Sequence, residues 1–186
     1  MKNGKWGFHD REKGVPFRQI GWFVGVLVIL SVQGGCGYHF KAGLKAPVGV
    51  HTISVTMLEN RTLDSGIEAV FTDDLLYEFT RSKVLQVAGL DVADAVLSGT
   101  IVSLNVDTIS HTADYASGER RVTITLDLAL TRATGEVIWS DRALSDREEY
   151  KVSSDKLTTE RNRRRAIEAL SERAAEKVHN RILQDF

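Results

Sequence analysis

Between Val122 and Leu130 every second residue is aliphatic: Val122, Ile124, Leu126, Leu128 and Leu130 alternate with Thr123, Thr125, Asp127 and Ala129. A period of two sends successive side chains to opposite faces of a strand, so this run predicts a strand with one buried face. A single strand cannot bury that face alone. The chain must therefore build a sheet and cover one side of it, with Leu126 at the centre of the covered side.

The remaining periodicities supply the other parts. His51 to Met57 alternate, with Ile53, Val55 and Met57 on one face, and predict a further strand. Val84–Ala88 reads as a short strand and Ala93–Ile109 as a long one, bent or bulged at Gly99. Residues from His111 to Gly118 are polar and read as a loop, and Ala133-Thr134-Gly135 as a hairpin turn into a strand from Val137 toward Val152. Ile67, Val70, Phe71, Leu75 and Phe79 recur at helical spacing behind Ser65-Gly66-Ile67-Glu68, which matches a capping box with Ser65 as the cap. Ile167, Leu170, Ala174, Val178 and Ile182 mark a long closing helix whose start signal lies among Ser153, Ser154 and Asp155. The expected order is β-α-β-β-β-β-α. This is an α+β fold, a small mixed or antiparallel sheet of four to five strands with two helices packed on one face. The other face of the sheet is expected to be rich in Thr and Ser.

The N-terminal segment does not belong to that domain. Five Lys and Arg residues in the first eighteen precede Ile20–Val32, thirteen residues without a charge. A basic flank, a short apolar run and small residues after it describe a secretory signal, and thirteen residues fall short of the ~20 that span a bilayer. The run ends at Gln33-Gly34-Gly35-Cys36, which holds the only cysteine of the chain. A lone thiol is a liability in an oxidising compartment, and acylation removes it. The expected organisation is a lipoprotein signal peptide over 1–35, a lipidated tether over 36–50 and a single domain over 51–186. Ordinary signal cleavage after Gly34 is the alternative, since Gln33 stands where a lipobox usually has an aliphatic residue. Asp10 and Glu12 are unusual in such a signal, so residues 1–14 are expected to be dispensable or an overrun of the start site. Removing 1–35 takes away five basic and two acidic residues and moves the net charge from −1 to −4. That balance argues against nucleic acid as a partner.

The sequence carries no catalytic constellation. The five histidines are scattered, and neither an HExxH run nor a G-x-S-x-G elbow occurs, so no catalytic residue, metal ligand or cofactor is assigned. The charge feature of interest is Arg161, Arg163, Arg164 and Arg165, with Lys151 and Lys156 just upstream. Arg161, Arg164 and Arg165 fall away from the apolar stripe, and salt-laced solvent exposure through Arg164–Glu168 is the ordinary explanation. Cations at a helix start oppose its dipole, however, and arginine is well built to grip phosphate.

Cys36-Gly37-Tyr38-His39-Phe40, Ile53-Ser54-Val55 leading to Glu59-Asn60-Arg61-Thr62, Ala93-Asp94-Ala95-Val96-Leu97 and Thr134-Gly135-Glu136-Val137-Ile138-Trp139 occur in that order. With the closing amphipathic helix they resemble the LptE family, the LPS-assembly lipoproteins of the Gram-negative outer membrane. The resemblance covers residues 36–186. It implies a non-enzymatic protein, lipidated at Cys36, that binds lipopolysaccharide and plugs the lumen of an LptD-like outer-membrane β-barrel. Gly37 rather than Asp after the cysteine agrees with sorting to the outer membrane. The resemblance also places lipopolysaccharide-binding cations near the loop before the long hairpin and near the start of the last helix. Here the second place holds Lys151, Lys156, Arg161 and Arg163, while the first has only Arg120 and Arg121 after a loop without Lys or Arg. Reversing Arg161 and Arg163 to Glu is expected to leave the fold intact. An envelope lipoprotein that regulates a periplasmic cell-wall synthase by protein contact is the alternative function, and an unrecognised hydrolase the third.

Overall fold

A computed structural model describes residues 46–111 and 117–185. Residues 1–45, on which the expected signal segment, Cys36 and most of the expected tether fall, and residues 112–116 and 186 lie outside the described residues. The elements run β1 (Thr52–Val55), β2 (Glu59–Asn60), α1 (Ile67–Ser82), β3 (Gln86–Val87), β4 (Ala95–His111), β5 (Ser117–Arg132), β6 (Val137–Lys151) and α2 (Lys156–Gln184). The six strands form one open mixed sheet in the order β3-β1-β4-β5-β6, with β2 beside β4 beyond the end of β1. The first three strands are parallel to their neighbours, and β4-β5-β6 is an antiparallel meander. The expected α+β class holds, with one strand more than expected because the two-residue β2 carries no periodicity to read.

The buried side is the one the alternation requires. Val122, Ile124, Leu126, Leu128 and Leu130 of β5 are all at most 2% exposed. They meet Ile67, Phe71, Leu75 and Phe79 of α1 and Ile167, Leu170, Ala174, Val178 and Ile182 of α2 in one core. The opposite face presents Thr123, Thr125 and Thr131 beside Ser98, Thr100, Ser103 and Asn105. That is the Thr- and Ser-rich face expected.

Four local expectations change. β1 stops at Val55, and Thr56 donates its N–H to the Leu97 carbonyl (3.0 Å). The chain then steps across to β2, so Leu58 turns inward and Met57 is 60% exposed. Ser65 does not cap α1. Its cap position is Gly66, in the left-handed region at φ 91°, and no side chain accepts from the first turn. Glu68 does reach back, accepting from the Gly66 N–H (3.0 Å) and from Asn60 Nδ2 (2.7 Å). The short strand shrinks from Val84–Ala88 to β3. Finally, β4 is bulged at Val102 and Ile109 rather than at Gly99, which pairs in register with Leu128. A Cβ on Gly99 would stand 2.4 Å from both the Asp127 carbonyl oxygen and Leu128 Cδ2. The glycine is there for close approach, not for a bend.

Two polar ties hold the ends of the sheet. Asp94 accepts from the backbone N–H groups of His51 (2.8 Å) and Thr52 (2.9 Å) and from the Thr52 hydroxyl (2.9 Å). These bonds hold its carboxyl below the usual carboxylate range. Trp139 Nε1 donates to Asp185 (2.9 Å), fixing the end of α2 against the start of β6.

Candidate functional site

The start of β5, the end of β6 and the first turns of α2 meet at one end of the domain. The β5–β6 register sets Glu119 opposite Lys151, Arg120 opposite Tyr150 and Arg121 opposite Glu149. Asn162 Nδ2 then donates to the Lys151 carbonyl (2.9 Å), tying the second turn of α2 to the last residue of β6. α2 itself begins where the sequence signal lies. Asp155 is the cap, accepting from the Thr158 hydroxyl (2.5 Å) and from the N–H groups of Thr158 (2.9 Å) and Leu157 (3.2 Å), and those bonds lower its pKa. All six candidate cations, Lys151, Lys156, Arg161, Arg163, Arg120 and Arg121, are thereby gathered at this end.

They are not equivalent. Arg163 turns toward the chain just before α1, where it pairs with Asp64, and it also pairs within α2 with Glu160 at 3.6 Å. Burial works against its charge, but the bond it donates to Asp64 and that carboxylate's charge raise its pKa overall. Its side chain is only 21% exposed. Reversing Arg163 would therefore set an acid against Asp64, which corrects the expectation that such a change leaves the fold untouched. Arg121 pairs with Glu149 at 2.6 Å. Lys151, Lys156, Arg120 and Arg161 form no ion pair among the described residues, and neither do Arg164 and Arg165. The expected Arg164–Glu168 pair is not formed.

Arg165 is the residue that sequence reasoning undervalued. It lines a recess of about 270 Å³ on the outer side of β6 with Lys151, Asn162 and Tyr150, and with Glu148 and Glu149, which pair with Arg173 and Arg121. Its place facing away from the apolar stripe was legible. Its approach to Lys151 depends on the Asn162 tie, which no periodicity announces. A second recess, of about 350 Å³, lies between the start of α1 and α2, and its charged lining is Asp64, Glu160, Glu168, Arg163 and Arg164. The arrangement offers guanidinium and ammonium groups that stand outside the ion pairs, beside glutamates already engaged by Arg121 and Arg173, and leaves these cations open to an anion. Among the described residues no three His, Cys, Asp or Glu side chains are grouped to hold a metal, and no helix is long and apolar enough to cross a membrane.

Solved structures share the fold. Lipoprotein B from Nitrosomonas europaea is 9% identical, with 79% of this chain and 90% of that one covered and a TM-score of 0.56. A minor lipoprotein from Acinetobacter baumannii is 14% identical, with 73% and 93% covered and a TM-score of 0.52. A protein from Xanthomonas campestris is 12% identical, with 76% and 90% covered and a TM-score of 0.52. No curated protein matches the sequence. The family model of LptE, described as lipopolysaccharide-assembly, matches residues 50–182, which span every strand, α1 and all but the last two residues of α2. The chain belongs to the LptE family of lipopolysaccharide-assembly proteins.

Proposed function

We propose that this protein is exported by residues 1–35, anchored through acylated Cys36 to the outer membrane, and seated as a plug in an LptD-like barrel. There it binds lipopolysaccharide with the cations at the start of α2 and takes no catalytic part. The observation that carries the binding role is that Lys151, Lys156, Arg161 and Arg165 stand outside the ion pairs, the glutamates near them being engaged by Arg121 and Arg173. Arginine grips phosphate bidentately, and lipopolysaccharide offers phosphates on its lipid and inner core. The Thr- and Ser-rich sheet face supports the plug role, because the lumen of such a barrel is polar. Acyl chains on Cys36 would hold the domain at the membrane, each buried CH₂ adding about 0.8 kcal/mol.

The test uses Lys156→Glu with Arg161→Glu, both exposed and outside the ion pairs of the fold. The double variant should melt like wild type and copurify with the barrel, yet capture several-fold less lipopolysaccharide. Wild-type capture should fall with added salt, since exposed charges are screened over roughly 8–10 Å. Equal capture by both proteins at low and moderate salt would remove the cations from the site. Copurification with the periplasmic domain of a cell-wall synthase in place of a barrel would favour the regulatory role instead.

A further inference from the structure

The two ends of the domain differ in chemistry. The start of α2 and the strand ends beside it gather the cations. At the opposite end, where the chain enters the domain, the segments 46–50, 87–93 and 133–137 meet. An Arg132 guanidinium nitrogen donates to the Val48 carbonyl (2.7 Å), and the Ala133 N–H donates to the Asp94 carbonyl (3.0 Å). Asp94 in turn accepts from the His51 and Thr52 N–H groups, so the three segments are held side by side.

Between them these segments hold two charged residues, Asp91 and Glu136, and Glu136 pairs with Arg132 at 3.1 Å. Their aliphatic side chains are not drawn into the core. Val48, Leu90, Val92 and Val137 are 58–85% exposed. A single exposed aliphatic residue needs no explanation, but four on adjoining loops form an apolar rim.

We propose that this rim rests on a lipid bilayer, its aliphatic side chains among the headgroups of the leaflet that holds the Cys36 acyl chains. The inference rests on the acyl anchor proposed above. Cys36 precedes Ala46 by ten residues, which reach at most roughly 36 Å when fully extended. The anchor therefore keeps the rim close to the leaflet. α2 ends near the rim, where Asp185 accepts from Trp139, and its 29 residues, about 43 Å, set the cations at its start far from it. From Gly37 to Lys45 the chain holds Tyr38, Phe40, Lys41 and Lys45 and no acidic residue. That composition suits an anionic headgroup layer. The lumen of a barrel is polar and would leave the rim uncovered, whereas a bilayer buries it. The rim thus belongs at the mouth of the barrel, against lipid, with the Thr- and Ser-rich face inside.

Val92→Trp and Leu157→Trp place a tryptophan at each end, on side chains that are already exposed. Each full chain, purified from membranes, is reconstituted into vesicles of phosphatidylethanolamine and phosphatidylglycerol with brominated acyl chains, and the emission of the parent chain is subtracted. The Val92→Trp emission should shift to the blue and lose intensity to the bromines, and that of Leu157→Trp should do neither. Val48→Asp with Leu90→Asp, added to Val92→Trp, should restore the intensity. The melting curve and the membrane-bound fraction should stay unchanged, because the acyl chains still hold the protein. Equal quenching at both ends, or quenching that survives the two aspartates, would overturn the lipid contact. A blue-shifted Val92→Trp indifferent to the bromines would assign the rim to a protein neighbour and overturn it too. Intact mass reports the anchor separately: an unmodified Cys36 sinks the anchor, and the two tryptophans then read the rim on its own.

Discussion

Gly99 is where a single hydrogen atom decides the spacing of two strands. A Cβ there meets the Asp127 carbonyl and the Leu128 side chain at 2.4 Å, and one of these contacts is backbone that cannot rotate away. Gly99→Ala should therefore force β4 and β5 apart and cost about 1–3 kcal/mol, the usual penalty for overpacking, measured as a lower midpoint in urea. A midpoint equal to wild type would mean that the strand gap is looser than these distances. The sequence pointed to Gly99 as an irregular position and misjudged the reason. A glycine inside an alternating strand signals either a bend or a close approach, and only the pairing partner distinguishes them. Arg163 teaches the same lesson at the candidate site. Its membership of an arginine run suggested a free cation, but the run wraps around a helix, and one member in it must face the neighbouring element. Asp64, ninety-nine residues away, could not be read as its partner.

At the scale of elements, periodicity made both helices and the long strands legible, because burial of one face dictates which positions are apolar. Helix ends were legible only where the capping side chain has no competitor. Asp155 caps α2 as expected, whereas Ser65 is displaced by Gly66, which takes the left-handed turn that brings the chain from β2 into α1. Asp155→Ala should lower the urea midpoint, since two N–H groups lose their acceptor and the first turn of α2 holds no acid to replace it. Ser65→Ala should leave the midpoint within error. Equal effects from the two would contradict this assignment of the caps. The ties that finish the edge of β6, in which Asn162, Arg173 and Lys177 donate to its carbonyls, were beyond sequence reading for a different reason. They join side chains to carbonyls, and carbonyls carry no residue-specific signal.

At the scale of the whole molecule, the seam between α1 and α2 contains a titratable group the fold does not satisfy. His179 is 4% exposed, packs edge-on against Phe79 with ring centroids 5.2 Å apart, and leaves Nε2 without a partner. Burial holds its pKa below the ordinary value, and Arg81 of α1 acts in the same direction. A bond with Asn180 and the charges of Glu78 and Glu176 oppose the shift without reversing it. Below about pH 6.5 the unfolded chain takes up this proton and the folded chain does not. Stability should thus fall as the pH drops through that value and level off below the folded pKa. Replacing His179 by Leu should flatten this part of the profile in urea melts across pH 7 to 5. The loss at lower pH should remain, because Asp94 and Glu68 are held below their ordinary pKa values and lose their bonds on protonation. An unchanged slope in the variant would place the titration elsewhere.

The unequal lengths of the two helices have a consequence for motion. α1 has 16 residues and α2 has 29, while β4, β5 and β6 have 17, 16 and 15. Near Ala95 and Arg132 the sheet is five strands wide and lies under both helices. Toward Arg120 and Lys151 it narrows to three strands, with the start of α2 beside them. Local opening is easiest where fewest apolar contacts must be broken. The end that carries the unpaired cations is thus also the end that can deform while the rest stays folded, so a bulky, irregular anion can be accommodated there without loosening the core.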